Sequence, residues 1–279
     1  MTILVTGATG NVGSEVVREL HEQQQDDVTV LETSRHVDEA QQDKRPFDFS
    51  DQTTYAPALS GIDYLFLIRP PAVAGVKEVF RPLLKEAIRA GVKGVVYSSV
   101  YGAENSKLLP HHGIEQAVED SGLPHYFLRP TYFMQNLTTT LYDQVKTGHV
   151  ELPTNRAVFN WIDVRDIGAA AARLLLDFPN HPEACEGITL ATYENLDYYR
   201  VAKRSQGSPL AFTYEDVSLP TFIAHRLKAG DSAGYAAAVA GIHFIQRFQK
   251  PVMARTDWRR LIGRDPGTLV DFFARASSH

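Results

Sequence analysis

The chain has one cysteine, Cys185, in 279 residues, so no internal disulfide can brace it and its stability must come from a core. It also lacks any apolar run near the roughly 20 residues that cross a bilayer. The most apolar late segment, Ala236 to Ile245, is short and carries His243, and reads as a buried helix. Basic residues are not in excess: 28 Lys and Arg stand against 33 Asp and Glu, a net charge of -5. There is then no positive field to hold a polyanion, and nucleic acid is excluded as a general partner. The ten histidines are scattered without the paired Cys/His spacing of a structural zinc site, and the adjacent His111 and His112 project in different directions if helical, so no metal site is expected. A basic leader is missing too, since Met1-Thr2 runs straight into Ile3-Leu4-Val5. The expectation is a cytoplasmic protein in a reducing setting with no membrane association.

With 44% hydrophobic and 22% charged residues, the composition is that of an ordinary globular chain able to bury a sizeable core. Strand-length apolar runs alternate with segments of helical period, the pattern of a parallel sheet wrapped on both faces by helices. Ile3 to Thr6 is the first strand, and Val12, Val16, Val17 and Leu20 share one face of the helix that follows. Val28 to Leu31 is the second strand, and the polar stretch Asp38 to Arg45, expected at the surface, separates it from Phe47-Asp48-Phe49; Asp48-Phe49 follows the third strand. Tyr64 to Ile68 is a continuous apolar run stopped by Arg69-Pro70-Pro71, as a strand buried on both faces should be. A helix over Val76 to Ala90 closes at Gly91, and Gly94 to Ser99, a helix over Ile114 to Asp120 and the strand His125 to Pro130 follow.

The fold class is therefore α/β, a Rossmann-type doubly wound parallel sheet with a smaller C-terminal α/β lobe. The sheet domain is placed at 1–153, completed by the helix 163–177 and the strand 187–192. The lobe, at 194–279, would cover a substrate at the open end of the sheet. Its aromatics Tyr198, Tyr199, Phe212, Tyr214, Phe222, Tyr235, Phe244 and Phe248 suit either a core or a flat apolar pocket, and Trp258-Arg259-Arg260 reads as a helix turn sealing the lobe.

The chemistry is concentrated at the first strand-to-helix turn, Thr6-Gly7-Ala8-Thr9-Gly10-Asn11-Val12-Gly13. In a G-x-x-G-x-x-G loop placed there, Gly7 permits the tight turn, Gly10 lets backbone approach a diphosphate and Gly13 lets the helix pack closely on the strand. The free N–H groups and positive helix end attract the phosphates. Gly7, Thr9, Gly10, Asn11, Val12 and Gly13 are accordingly assigned to a dinucleotide cofactor. After the second strand two signals compete. Glu32 can accept from a ribose 2′-hydroxyl, as in NAD sites, whereas Arg35 with Ser34 can pair with a 2′-phosphate. Arg35 stands where the turn past the strand would put the phosphate, so NADP(H) is favoured over NAD(H). Asp48 and Phe49 are assigned to the adenine, the carboxylate taking its amino group and the phenyl ring flanking it. The competing reading is an ordinary turn. Ile68, Arg69 and Pro70 end the fourth strand at the carboxyl edge, where open α/β sheets bind ligands.

Together these residues resemble the NmrA-like branch of the atypical short-chain dehydrogenase/reductases. The resemblance covers the Thr6 to Gly13 loop, Arg35, Leu67-Ile68-Arg69-Pro70-Pro71, Leu109 to Glu115, Ser121-Gly122-Leu123-Pro124, Leu128 to Asn136, Phe159 to Gly168 and Leu261 to Pro266. It implies that Pro130 to Phe133 bends past the nicotinamide, adding Pro130 and Tyr132 to the cofactor residues. It also implies that His112 and Glu115 lie on the helix where related enzymes carry a catalytic lysine. Members similar to this chain include quinone reductases, a triphenylmethane dye reductase, isoflavone-type reductases and regulators that bind NADP without turning it over. The chain departs from the short-chain dehydrogenase pattern after Ser98-Ser99: the tyrosine nearby is Tyr101, four residues later stands Asn105 rather than lysine, and Gly113 stands where several relatives have lysine.

His112, which can donate a proton near neutral pH, and Tyr101, which can orient a substrate oxygen, are the candidate catalytic residues. Histidines at a helix start also cap backbone groups, the bland alternative for His112. The expected function is an NADPH-dependent reductase of a conjugated, electron-poor small molecule, a quinone or dye, because such acceptors need little acid catalysis. The alternative is a redox sensor that binds NADP(H) and acts on a protein partner. The oligomeric state is left open.

Overall fold

The computed structural model describes residues 1–23, 27–38, 41–70, 73, 75–253 and 255–276. Pro71 and part of the polar stretch from Asp38 to Arg45 lie outside the described residues. The strands are β1 (Thr2–Val5), β2 (Thr29–Ser34), β3 (Lys44–Pro46), β4 (Tyr64–Ile68), β5 (Gly94–Ser98), β6 (His125–Pro130), β7 (Tyr132–Phe133), β8 (His149–Leu152), β9 (Phe159–Ile162), β10 (Cys185–Leu190), β11 (Asn195–Leu196) and β12 (Thr213–Asp216). The helices are α1 (Asn11–Glu22), α2 (Tyr55–Leu59), α3 (Arg81–Ala90), α4 (Pro110–Ser121), α5 (Tyr142–Lys146), α6 (Val164–Asp177), α7 (Tyr198–Ser205), α8 (Leu219–Lys228), α9 (Ala233–Ile245), α10 (Trp258–Ile262) and α11 (Leu269–Ala276). Among the described residues, no helix is long and apolar enough to cross a membrane.

By packing density the chain forms two compact units, one of Met1–Pro130, Val164–Leu190 and Thr256–Asp265, the other of Thr131–Asp163, Ala191–Arg255 and Pro266–His279. These bounds differ from the expected 1–153 and 194–279. Residues 131–153 belong to the second unit, and α10, with its fully buried Trp258, belongs to the first. Short-range patterning cannot show such exchanges, because each piece is ordinary amphipathic structure wherever it docks.

The first unit holds a seven-stranded sheet in the order β10-β6-β5-β4-β1-β2-β3, parallel throughout. The order reverses between β1 and β4, the switch point at which doubly wound sheets bind ligands. Leu4, Leu65, Leu67, Val95, Tyr97 and Phe127 point to one face, where Leu83, Leu84 and Ala87 of α3 and Ile114, Ala117 and Val118 of α4 cover them. The opposite face meets α6, which packs against α1. Those two helices approach closely because Gly168 carries no side chain: a Cβ there would lie 2.7 Å from the Cβ of Glu15.

The third strand ends at Pro46, and Phe47 and Phe49 beyond it turn into the core beside Tyr55 and Phe80. Two elements differ from the sequence expectation. The expected helix over Val76 to Ala90 begins as a wide π turn over Val76–Phe80. Pro82 explains it: without an N–H it cannot bond the Glu78 carbonyl, which accepts instead from Gln52 Nε2 at 2.8 Å. Finally, α4 starts at Pro110 rather than Ile114, because proline suits the first helical turn.

The second unit contains a three-stranded sheet, β11-β9-β7, and the parallel pair β12-β8. Its core is aromatic, built on Phe159, Trp161, Tyr198, Phe212 and Phe222. Of the late aromatics that suited either reading, those last three are buried, while Tyr199, Tyr235 and Phe248 are exposed.

Candidate functional site

At the end of β1 the chain reverses through Gly7, whose φ of 64° suits glycine. A Cβ on Gly7 would strike Ile68 Cγ2 at 2.5 Å, and one on Gly13 would stand 2.1 Å from the Gly7 carbonyl oxygen. The turn is closed by the Gly10 N–H donating to that oxygen at 2.9 Å. Thr6 pins it to β4: its hydroxyl donates to the Phe66 carbonyl and accepts the Ile68 N–H, both at 3.0 Å. Thr9, Gly10 and Asn11 form the exposed rim of the loop. Val12 and Gly13 are buried beneath it. α1 begins after Gly10 with no side-chain cap and no acidic residue in its first turn, so no side chain of that turn offsets the positive helix end.

Glu32 lies within β2, and Arg35 is the first residue beyond it. Arg35 is exposed. Its charge contributes to holding the Asp48 carboxyl below the usual range, behind the larger effect of the Ser50 hydroxyl and N–H, which bond Asp48 Oδ1 at 2.6 and 2.8 Å. Phe49 is 8% exposed, its ring packed against Phe47 and Phe80 at 4.8 and 5.8 Å between centroids. Ile68, Arg69 and Pro70 leave the end of β4 half-buried, with Ile68 directly beneath Gly7.

Further along the carboxyl edge, Ser99 follows β5 and Arg129 lies near the end of β6. Between them Glu115 of α4, 3% exposed, accepts the Ser99 hydroxyl at 2.5 Å and both arms of Arg129 at 2.9 and 2.7 Å. Gly187 of β10 makes room for that guanidinium, since a Cβ there would lie 2.3 Å from Arg129 Nη1. Glu115 thus ties α4 to β5 and β6 and has no spare oxygen pointing at a substrate.

His112 has Nδ1 at 2.8 Å from the Ala103 carbonyl. A carbonyl only accepts, so Nδ1 carries the proton, and Nε2 is left as a base when the ring is neutral and an acid when it is charged. Tyr101, 43% exposed, leads into the turn through Gly102 that also holds Asn105. The pair that sequence reasoning missed is Tyr97 and His111, joined at 2.8 Å between the hydroxyl and Nδ1. Burial, aided by the Arg69 charge, lowers His111 to about 4, and burial raises Tyr97 well above its usual value. Both are therefore neutral at pH 7. Alternation along β5 turns Tyr97 toward α4, but nothing local marks which α4 residue it meets.

Pro130 ends β6 and accepts the Tyr101 N–H at 2.9 Å. Tyr132 belongs to the second unit, and its hydroxyl is spent there, 2.7 Å from Tyr198 Oη and 2.7 Å from His243 Nε2. His243 Nδ1 donates to the Val239 carbonyl at 2.7 Å, so Nε2 accepts from Tyr132, which in turn accepts from Tyr198. Burial holds His243 at about 4 and raises Tyr132 and Tyr198. This directed chain of neutral groups commits the Tyr132 hydroxyl to the core of the second unit.

Residues 1–218 match the model of the NmrA-like family. The chain belongs to that family. Among NmrA-like and related proteins, it is 33% identical over 282 residues to the prestalk A differentiation protein A of Dictyostelium discoideum, covering 98% of this chain and 91% of that one. It is 31% identical to the NAD(P)H azoreductase of Xenophilus azovorans over 67% of each chain. Two solved structures share the fold: the Escherichia coli NADPH-dependent quinone oxidoreductase complexed with NADPH, with a TM-score of 0.83 at 24% identity over 99% of each chain, and the Citrobacter sp. triphenylmethane reductase complexed with NADP(H), with a TM-score of 0.82 at 21% identity over 99% of this chain and 100% of that one.

Proposed function

We propose that the protein is an NADPH-dependent oxidoreductase that reduces a conjugated, electron-poor small molecule of the quinone or dye type by direct hydride transfer. The observation that carries this reading is the tight turn at the sheet's switch point, where Gly7 and Gly13 let Ile68 and the loop backbone close in at distances a Cβ would forbid, beside an uncapped, acid-free helix end. Those features fit a dinucleotide diphosphate. Arg35, exposed just past β2, would take the 2′-phosphate. The Ile68 to Pro70 backbone would line the channel toward the ribose.

Bound NADPH supplies the hydride. The chain's own part is to hold the dinucleotide and bring an acceptor to it in the right orientation. With Asn105 where a lysine would complete a Tyr-x-x-x-Lys dyad, Tyr101 has no partner of that kind to acidify its phenol. That suits an acceptor that needs little acid catalysis: a quinone takes hydride and then a proton, and a cationic triphenylmethane dye takes the hydride alone. His112, with Nδ1 committed to Ala103, is the residue assigned to proton exchange through Nε2. The names of the azoreductase and quinone oxidoreductase relatives support the same class of acceptor.

A redox-sensing regulator is the second reading, favoured by one observation: the 33% identical relative is named for prestalk differentiation rather than for a reaction. One experiment separates the two. The protein is titrated with NADPH by calorimetry, then NADPH absorbance is followed with a panel of quinones, azo dyes, triphenylmethane dyes and enals. Turnover of any of the first three classes is the expected result. Tight binding with no consumption across the panel would transfer the conclusion to the regulator, and absence of binding would end both.

A further inference from the structure

In the second unit, β8 and β12 run parallel with His149 opposite Thr213 and Glu151 opposite Glu215. Residues two apart on a strand share a face, so His149, Glu151 and Glu215 converge, with ligand atoms all within 4.8 Å of one another. We propose that these three side chains bind one divalent transition-metal ion of the zinc class, with Thr213 and His225 orienting the ligands. The proposal stands apart from the nucleotide reading and does not depend on it.

The geometry favours an ion over a set of simple salt bridges. The Thr213 hydroxyl donates to the Gly148 carbonyl at 3.1 Å and so must accept from His149 Nδ1, 3.0 Å away. Nδ1 thus carries a proton, and Nε2 is the ring atom that faces two carboxylates. Metal-binding histidines are oriented in this way, the second nitrogen donating to an oxygen behind the ring. His149 Nε2 stands 3.6 Å from Glu151 Oε1 and 3.4 Å from Glu215 Oε2. A charge-assisted N–H···O bond would close to about 2.8 Å. By contrast, two ligands each about 2.0 Å from a tetrahedral ion sit about 3.3 Å apart.

The other oxygen of Glu151 behaves differently. His225 Nδ1, on α8, lies 2.6 Å from Glu151 Oε2, a true hydrogen bond that steadies the carboxylate from behind. One imidazole and two carboxylates are a donor set of borderline hardness, suited to Zn2+ or Co2+ and leaving further positions to water. Because the ligands come from two strands joined across more than 60 residues of sequence, an ion there would clip β8 to β12.

The test uses the full-length protein after dialysis against chelator and then against chelator-free buffer. Calorimetry with ZnCl2 should show binding that saturates at one equivalent, and CoCl2 should give visible absorption of a low-coordinate imidazole-carboxylate site. Zn2+ should raise the melting temperature of the wild type. His149→Gln, Glu151→Gln and Glu215→Gln should each weaken binding at least tenfold, and Thr213→Val about tenfold through ring orientation alone. His21→Gln, which removes an exposed histidine elsewhere, should change nothing. Glu215 is the most exposed ligand, so its variant keeps the test clear of folding defects, which circular dichroism checks. A wild type that takes up no ion at one equivalent would overturn the proposal. So would Glu215→Gln and Thr213→Val proteins that bind and melt like the wild type.

Discussion

Replacing Gly13 by alanine tests the glycine turn most directly. The added Cβ would lie 2.1 Å from the Gly7 carbonyl oxygen, 2.6 Å from its carbon and 3.0 Å from Ala8 Cα. Ordinary contact needs about 3.5 Å, so loop and helix must part by about 1.4 Å, and every colliding atom is backbone that cannot swing aside. Overpacking of this kind costs about 1–3 kcal/mol of stability. The effect on ligand should be larger than stability alone implies, because the atoms that move carry the donor groups. If two N–H bonds to a diphosphate are lost at about 1.5 kcal/mol each, affinity for NADP(H) falls by about 3 kcal/mol, or more than about 100-fold. Gly10→Ala separates fold from ligand: its Cβ meets the same oxygen at 3.3 Å, which a few tenths of an ångström relieve, so stability should be kept, while on the exposed rim it would intrude where the backbone approaches the diphosphate and weaken binding. Calorimetric titration with NADPH, at a temperature where circular dichroism shows both variants folded, gives the comparison. A folded Gly13→Ala protein within threefold of wild-type affinity would refute the assignment of this loop.

Arg35→Ala should weaken NADPH about tenfold or more and leave NADH nearly unchanged, as expected for a charge-assisted contact to the 2′-phosphate; equal losses in competition titrations would remove that role. Glu115→Ala should cost about 3 kcal/mol in urea unfolding, the low end for breaking a buried pair because Arg129 still has Glu104 at 3.4 Å, and a loss under about 1 kcal/mol would contradict the tie between α4 and the sheet. His243 is neutral in the fold, lowered from about 6.5 to about 4, so its contribution is complete above pH 6.5 and is lost as pH falls from there through 4. At pH 5 the fold should be about 2 kcal/mol weaker from this residue than at pH 7.5. His243→Gln should flatten that part of the dependence, and unfolding free energies with the same pH slope as wild type would show the assignment to be mistaken.

Much of the first unit was legible because its signals are local. A strand buried on both faces must be apolar along its length, as Tyr64 to Ile68 is, and a helix behind a glycine turn must repeat Val12, Val16 and Leu20 on one side. The steric demands on Gly7 and Gly13 are local as well, since both arise within one turn. Less legible was whatever depends on distant chain. That the Phe49 ring packs on Phe80, some thirty residues on, is visible only in the fold. The π turn before α3 comes from one proline, yet its stability rests on Gln52 supplying the missing donor.

Composition and periodicity sufficed for the wound parallel sheet and its glycine turn, and residue order for the Asn105 that stands four places after Tyr101, because each is written in neighbouring residues. Pairings across the fold were not available that way. Tyr97 with His111, Glu115 between Ser99 and Arg129, the line from Tyr198 through Tyr132 to His243, and the meeting of His149 and Glu151 with Glu215 all join separate segments. Hydrogen bonds and ligand geometries of this sort require atoms within about 3 Å, a precision that arises only once strand register and helix docking have brought the segments together.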